Sequence, residues 1–361
     1  MRAARRKPRR IQFSTPKINK SFRSRDAPLN AVPELVCPAG ALPALRSAVD
    51  NGADWVYFGL RDNTNARNFA GLNFDEQNAR EGIRYANDAG ARTILAINTY
   101  PQPDTRERWQ RAIDTAADLG VDAVILADAG LMRYAARRYP ELALHLSVQA
   151  SATNFEAINL YREQFGVRRA VLPRVLSLAQ VEQVIANTEV EIEVFGFGSL
   201  CVMVEGRCVL SSYATGQSPN TAGVCSPAKA VRWEPEGERM NVRLNGVLID
   251  QFESGENAGY PTICKGRYSV AGETYYAIEE PSSLNALELL PQLAAMGVSA
   301  IKIEGRQRSP AYVAEVTRVW RQAIDECGAG RFSVKPQWKA GLAKIAEGAQ
   351  YTLGAYNRKW K

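Results

Sequence analysis

Eight short apolar or β-branched runs recur along the chain, and their spacing limits the folds open to it. They lie at Glu34 to Cys37, Trp55 to Leu60, Thr93 to Asn98, Ala123 to Asp128, Leu144 to Gln149, Arg169 to Arg174, Glu191 to Gly198 and Ala300 to Glu304. Between most of them apolar residues fall at helical spacing, as in Leu42, Leu45 and Val49, or Leu178, Val181 and Ile185, or Val313, Val316 and Trp320. Gly52, Gly90, Gly120, Gly166 and Gly297 stand where left-handed helix caps are expected before the next strand. Ser309-Pro310 supplies the N-cap and first residue of the last long helix. This alternation predicts an α/β fold, a (β/α)8 TIM-like barrel, with an open doubly wound sheet as the alternative.

The rhythm breaks once. About a hundred residues separate Gly198 from Ala300, far beyond the roughly 2–6 of an ordinary βα connection. The expected organisation is therefore an extension at 1–30, strands one to seven at 31–198, an inserted subdomain at 199–299, and strand eight with a last helix and tail at 300–361. Turn signals at Glu236-Gly237, Asn245-Gly246 and Ala271-Gly272 predict β-hairpins inside the insertion.

The net charge of +7 on 361 residues suggests a nucleic-acid binder until it is divided. Residues 1–30 hold ten Lys/Arg against Asp26 alone, which leaves 35 basic and 37 acidic groups in the remaining 331 residues. The basicity belongs to a tail, and nucleic acid is not an expected partner of the body. That tail has no apolar run and contains Pro8 and Pro16, so it reads as disordered: a solvated polybasic extension, or the product of a start codon placed too far upstream. Its prolines spoil the amphipathic helix of a mitochondrial presequence, and no hydrophobic segment follows the arginines as an export signal requires. No run of 18 apolar residues is present, and a cytoplasmic location is expected.

Catalytic groups of such barrels come from the C-terminal ends of the strands. Those ends bring Cys37, Arg61 with Asp62, Asn98, Asp128, Gln149, Arg174, and Glu304 with Arg306 toward one rim. Arg61, Arg174 and Arg306 suit a carboxylate or phosphate substrate. The competing reading pairs these arginines with Asp62, Asp128 and Glu304, and takes Cys37 as a small buried residue. The one histidine, His145, sits mid-strand and is expected inside the barrel.

Four of six cysteines, Cys201, Cys208, Cys225 and Cys264, crowd into the insertion. In a long α/β chain this reads as metal binding rather than a disulfide framework. The gaps of 6, 16 and 38 residues contain no Cys-x2-Cys knuckle, which disfavours structural zinc and matches neither familiar ferredoxin spacing. Four unrelated core cysteines remain the alternative.

The run Glu193-Val-Phe-Gly-Phe-Gly-Ser-Leu-Cys201, continuing through Gly206-Arg-Cys208 to Ser211, closely resembles the signature of the collagenase-like U32 peptidase family. Further stretches resemble its ubiquinone-biosynthesis branch: Glu34-Leu-Val-Cys-Pro-Ala-Gly40, Asp62-Asn-Thr-Asn-Ala-Arg67, Ser147-Val-Gln-Ala-Ser151, Ser218-Pro-Asn-Thr221, Gly255-Glu-Asn-Ala-Gly259, Ile303-Glu-Gly-Arg-Gln-Arg-Ser-Pro310 and Thr352-Leu-Gly-Ala-Tyr356. The resemblance implies a 4Fe-4S cluster held by Cys201, Cys208, Cys225 and Cys264, with zinc as the alternative occupant. It also implies O2-independent hydroxylation of a ubiquinone precursor and prephenate as hydroxyl donor. The partners implied are a homologous UbiV-like subunit, forming a heterodimer, and a UbiT-like lipid carrier. Arg61, Asn65, Arg67, Gln149, Arg174, Glu304 and Arg306 are the substrate-binding candidates. Other members of the family are tied to RNA-base hydroxylation, the competing function. Proteolysis is disfavoured, because the chain lacks a second histidine for a zinc protease and an evident base for a nucleophile.

Overall fold

A computed structural model describes residues 32–256 and 258–357. The polybasic extension lies outside the described residues. Eight parallel strands, β1 (Glu34–Pro38), β2 (Trp55–Phe58), β3 (Arg92–Ile97), β4 (Ala123–Leu126), β5 (Ala143–Leu146), β6 (Arg169–Val171), β7 (Glu191–Ser199) and β8 (Ala300–Ile303), run in chain order around a closed barrel. Closure comes from β8, which pairs with β1 through Glu34↔Ala300 and with β7 through Ala300↔Glu193. The open-sheet alternative is thereby excluded.

The helices α1 (Leu42–Asp50), α2 (Glu76–Asp88), α3 (Arg106–Leu119), α4 (Ala129–Arg138), α5 (Phe155–Phe165), α6 (Leu178–Ala186), α7 (Leu290–Ala295) and α8 (Pro310–Gly328) ring the strands. Gly52, Gly90, Gly120, Gly166 and Gly297 all have positive φ, as expected of their caps. Ser309 caps α8 by accepting a hydrogen bond from the Tyr312 amide. No helix among the described residues is long and apolar enough to cross a membrane.

Strand alternation sorts the side chains. Val36, Trp55, Tyr57, Ile94, Ala123, Ile125, Ala143 and Ala300 fill the barrel interior, while residues of opposite parity join the larger core between strands and helices. Cys37 belongs to the outer set. It is buried against α8, where the Thr317 hydroxyl donates to its sulfur at 3.2 Å, so its placement at the rim is corrected by parity. His145 does face inward, edge-on to Trp55 with ring centroids 5.6 Å apart. Burial, with Arg169 and Lys302 nearby, pushes its pKa well down, and its Nδ1 has no hydrogen-bond partner among the described residues.

The long connection after β7 holds a three-stranded antiparallel sheet (Val231–Glu236, Arg239–Leu244, Val247–Phe252) and a hairpin (Arg267–Val270 with Glu273–Tyr276). Two of the expected turns, Asn245-Gly246 and Ala271-Gly272, have φ positive at both residues, the twist that a two-residue hairpin requires. The chain then returns to the barrel. Ser283–Asn285 pairs antiparallel with the end of β7 (Ser283↔Ser199), and Tyr351–Thr352 pairs on its other side. The last part of the 199–299 stretch, including α7, is therefore barrel structure.

One glycine shows how tightly the outer layer packs. A Cβ on Gly196 of β7 would lie 2.4 Å from Ile301 Cγ2 and 2.8 Å from Trp320 Cη2 of α8. Gly196→Ala is expected to cost about 1–3 kcal/mol through overpacking. Thermal unfolding followed by circular dichroism should show a lowered Tm with unchanged native secondary structure.

Candidate active site at the barrel mouth

The C-terminal ends of the strands surround a pocket of about 570 Å³ of atom-free space, part of it open to solvent. Its apolar wall comes from Tyr57, Ile125, Val171 and Phe195, and its polar wall from Asn98, Ser147 and Gln149. Four cations reach it: Arg67, Arg174, Lys302 and Arg306. Strand parity explains two of these components, because Lys302 and Glu304 lie two residues apart and share the inner face at the end of β8.

Each cation is held by a distinct neighbour. Arg67 Nε donates to Glu304 Oε1 at 3.3 Å, and Arg174 Nε donates to Glu205 Oε1 at 2.7 Å. Lys302 Nζ donates to Glu193 Oε1 at 2.7 Å and sits 3.9 Å from the centre of the Tyr57 ring. Arg306 Nη2 donates to Asn65 Oδ1 at 2.9 Å. Burial alone would raise the Glu304 pKa, but Arg67, Arg174 and Arg308 outweigh it and hold the carboxyl at about 2. Glu304 also accepts from the Ser199 amide at 3.2 Å and from Gln307 Nε2 at 3.1 Å.

Five of the seven substrate-binding candidates, Arg67, Gln149, Arg174, Glu304 and Arg306, line this pocket. Asn65 stands behind Arg306, its amide donating to the Leu60 carbonyl at 2.6 Å. Arg61 does not take part. It lies on the outside, 3.7 Å from Asp75, with over half of its side chain exposed. Asp62 and Asp128 are committed to local caps, Asp62 on Thr64 and Asp128 on the first turn of α4, so neither pairs with a rim arginine. Glu205 is the carboxylate that sequence reading missed, because it pairs across from the insertion. Lys302, Tyr57 and Glu193 were missed too, although period-2 alternation marks all three as inward-facing.

Three segments of the long connection carry the cysteines onto this mouth. The Cys201–Cys208 loop lies on the end of β5: the Ser151 hydroxyl donates to the Glu205 carbonyl at 2.7 Å, and a Cβ on Gly206 would meet the Gln149 carbonyl oxygen at 1.9 Å. The segment before Cys225 docks on the loop after β2, where the Arg67 amide donates to the Gly223 carbonyl at 2.8 Å. In the same segment Asn220 Nδ2 donates to the Cys208 carbonyl at 3.2 Å. Next to Cys264, Lys265 Nζ donates to Glu347 at 2.6 Å, and the Ser199 hydroxyl donates to the same carboxylate at 3.2 Å.

All four cysteines are free and partly buried. Burial pushes the Cys201 thiol up to about 12, with Glu205 adding to the shift, and the Cys264 thiol up to about 11. The sulfurs also feel one another: Cys225 acts on Cys201 and Cys264, and Cys208 acts on Cys225 and Cys264. Arg67 lies within electrostatic reach of Cys225, and Arg174 of Cys201. Yet among the described residues no three His, Cys, Asp or Glu side chains close tightly enough around one point to hold a single metal ion. A tetrahedral zinc with Zn–S near 2.3 Å needs sulfurs about 3.8 Å apart. The four thiols influence one another electrostatically but are not gathered that tightly.

The model for "Peptidase family U32" matches residues 40–359. The "tRNA hydroxylation protein P" of Escherichia coli (strain K12) is 33% identical over 320 residues, covering 83% of this chain and 69% of that protein. The "Uncharacterized protease MJ0090" of Methanocaldococcus jannaschii is 31% identical over 334 residues, covering 90% and 73%. The "23S rRNA 5-hydroxycytidine C2501 synthase" of Escherichia coli (strain K12) is 30% identical over 292 residues, covering 81% of this chain and 39% of that protein.

The Cys264 arm is fastened to the barrel by a nearly buried ion pair, the Lys265 and Glu347 side chains being 6% and 14% exposed. Glu347→Ala would strand the Lys265 ammonium, a loss on the order of 3 kcal/mol. The expected outcome in metal-free protein is faster alkylation of Cys264, read by peptide mass spectrometry, with barrel secondary structure retained. An unchanged rate would mean that other contacts hold the arm.

Proposed function

The chain belongs to the peptidase U32 family, and we propose that it is the iron-sulfur subunit of an O2-independent hydroxylation in ubiquinone biosynthesis, acting with a homologous UbiV-like subunit. The observation that carries this reading is that four free thiols lie within electrostatic reach of one another, and two of them of Arg67 and Arg174, which line a barrel pocket that holds more cations than carboxylates. A peptidase reading has no such support. The chain's one histidine is buried inside the barrel, and that burial, with Arg169 and Lys302 nearby, lowers its pKa so far that it is a weak proton acceptor for any nucleophile.

In this reading Cys201, Cys208, Cys225 and Cys264 hold a 4Fe-4S cluster, which supplies one-electron chemistry when bound. The chain's own residues perform the binding. Arg67, Arg174 and Arg306 hold an organic acid such as prephenate, because guanidinium groups pair with carboxylates through directed N–H donors. Asn98, Ser147 and Gln149 offer hydrogen bonds to its oxygens, and Tyr57, Ile125, Val171 and Phe195 exclude water from its carbon skeleton. A UbiT-like carrier presents the lipid acceptor from outside, since the pocket is too small for a prenyl tail.

A second reading keeps the same pocket and changes the acceptor to an RNA base. It is favoured by relatives named for tRNA and rRNA hydroxylation. Against it, the 331 residues after residue 30 carry 35 basic and 37 acidic groups, a poor balance for a polyanion.

Anaerobic purification, alone and with the partner subunit, tests the cofactor. Brown protein with about four irons and about four sulfides per chain is expected, falling sharply in Cys225→Ala; colourless protein with one zinc overturns the assignment. Quinone content of anaerobically grown cells lacking the gene tests the acceptor. Depleted ubiquinone with normal RNA hydroxylation is expected, and the reverse result would establish the RNA reading.

A further inference from the structure

The charges lining the pocket do not balance. Three of its four cations face a carboxylate: Arg67 faces Glu304, Arg174 faces Glu205, and Lys302 faces Glu193. Arg306 faces none. It is 3% exposed, its Nη2 donates only to the neutral Asn65 amide at 2.9 Å, and its Nη1 is buried with no hydrogen-bond partner among the described residues. Glu304 is near in sequence, but its two oxygens already accept from Arg67, Gln307 and the Ser199 amide.

This guanidinium occupies a seat that the backbone leaves open for it. A Cβ on Gly59, just beyond β2, would lie 2.4 Å from Arg306 Nη1 and 2.5 Å from Asn65 Cγ. Asn65 is in turn fixed by its bond to the Leu60 carbonyl. Glycine at 59 and asparagine at 65 therefore hold a cation inside a low-dielectric site without neutralising it. Such an arrangement is costly unless an anion completes it. Burial and the nearby Arg67 pull the Arg306 pKa down to about 10 against the opposing influence of Tyr57 and Glu304, which still leaves the group charged at neutral pH.

We propose that Arg306 is the residue that receives the carboxylate of a small organic acid and so fixes its orientation in the barrel, with the acid's ring against Tyr57 and Phe195. The inference deepens the hydroxyl-donor reading above and rests on it only for the role of the acid; the binding itself needs no cluster. Because Arg67, Arg174 and Lys302 already have counter-charges, the acid-versus-neutral preference of the pocket falls on this one side chain.

The test uses the full chain, purified anaerobically with its cofactor, and isothermal titration with two probes of nearly equal shape: phenylpyruvate and the neutral ketone phenylacetone. Wild-type protein is expected to prefer the acid at least about tenfold, a difference near 1.4 kcal/mol. Arg306→Gln should abolish that preference while leaving ketone affinity within about twofold, and Arg306→Lys should restore part of it. A purely structural role would not change the acid-to-ketone ratio. Gly59→Ala, which displaces the guanidinium without removing it, should also lose the preference, and it carries the test if Arg306→Gln fails to fold. Retained preference in a folded Arg306→Gln protein overturns the proposal, as does a wild-type protein that fails to distinguish the probes or to bind the acid at millimolar concentration. Acid preference in colourless, zinc-containing protein would sustain this inference while overturning the cluster; brown protein without preference would do the opposite.

Discussion

Everything at the mouth depends on β8 closing the barrel against both β1 and β7 after a long excursion of the chain. Lys302, Glu304 and Arg306 all sit on this strand or just beyond it, so the pocket exists only once it is in place. Closing a loop of about a hundred residues instead of about five costs roughly 3 kcal/mol of extra chain entropy. The excursion offsets that cost by fastening itself to the barrel as it goes. Gly206 rests on the Gln149 carbonyl, Gly223 on the Asn65–Arg67 backbone, and Ser283–Asn285 on the end of β7. Two of these contacts also bring Cys201, Cys208 and Cys225 to the rim, and the Lys265–Glu347 pair does the same for Cys264.

Charge is layered along the barrel axis. Low in the barrel, Arg169 bridges Glu34 and Glu191 and approaches Glu193 to 3.8 Å; above it, Lys302 shares Glu193. Buried pairs of this kind contribute little net stability, because desolvation consumes most of the Coulomb gain. What they contribute is orientation and sign. Burial first, and then the cations, push the His145 pKa well down, and of the four cations that line the pocket three have a carboxylate partner.

Five of the eight strands were legible because two signals agree there, an apolar run and a glycine before it that takes a left-handed conformation; β1, β5 and β7 rested on the apolar run alone. The cysteine quartet was legible from its density alone. Residues placed by parity were harder to assign. Cys37 lies one residue after inward-facing Val36 and so points to the helices, and Lys302 points inward because it lies two residues before Glu304. Arg61 looked like a rim residue from its place after an apolar run, but the strand ends at Phe58 and the chain turns outward, with Leu60 bridging to Phe74. Glu205 had no local signal. Its partner Arg174 lies 31 residues away, and only the docking of the insertion brings them together.

The two levels of the site share their cations. Arg67 is bonded to Glu304 on the pocket side and lies near Cys225 on the other; Arg174 is bonded to Glu205 and lies near Cys201. A thiolate-ligated centre is anionic, and an organic acid below it is anionic too, so the two would repel across a short, poorly screened gap if nothing stood between them. The guanidinium groups stand there, each tethered by a carboxylate that fixes its position. Were an acid seated on Arg306 to share the mouth with a thiolate-ligated centre, exchanging Arg67 or Arg174 for a neutral side chain would disturb both levels at once.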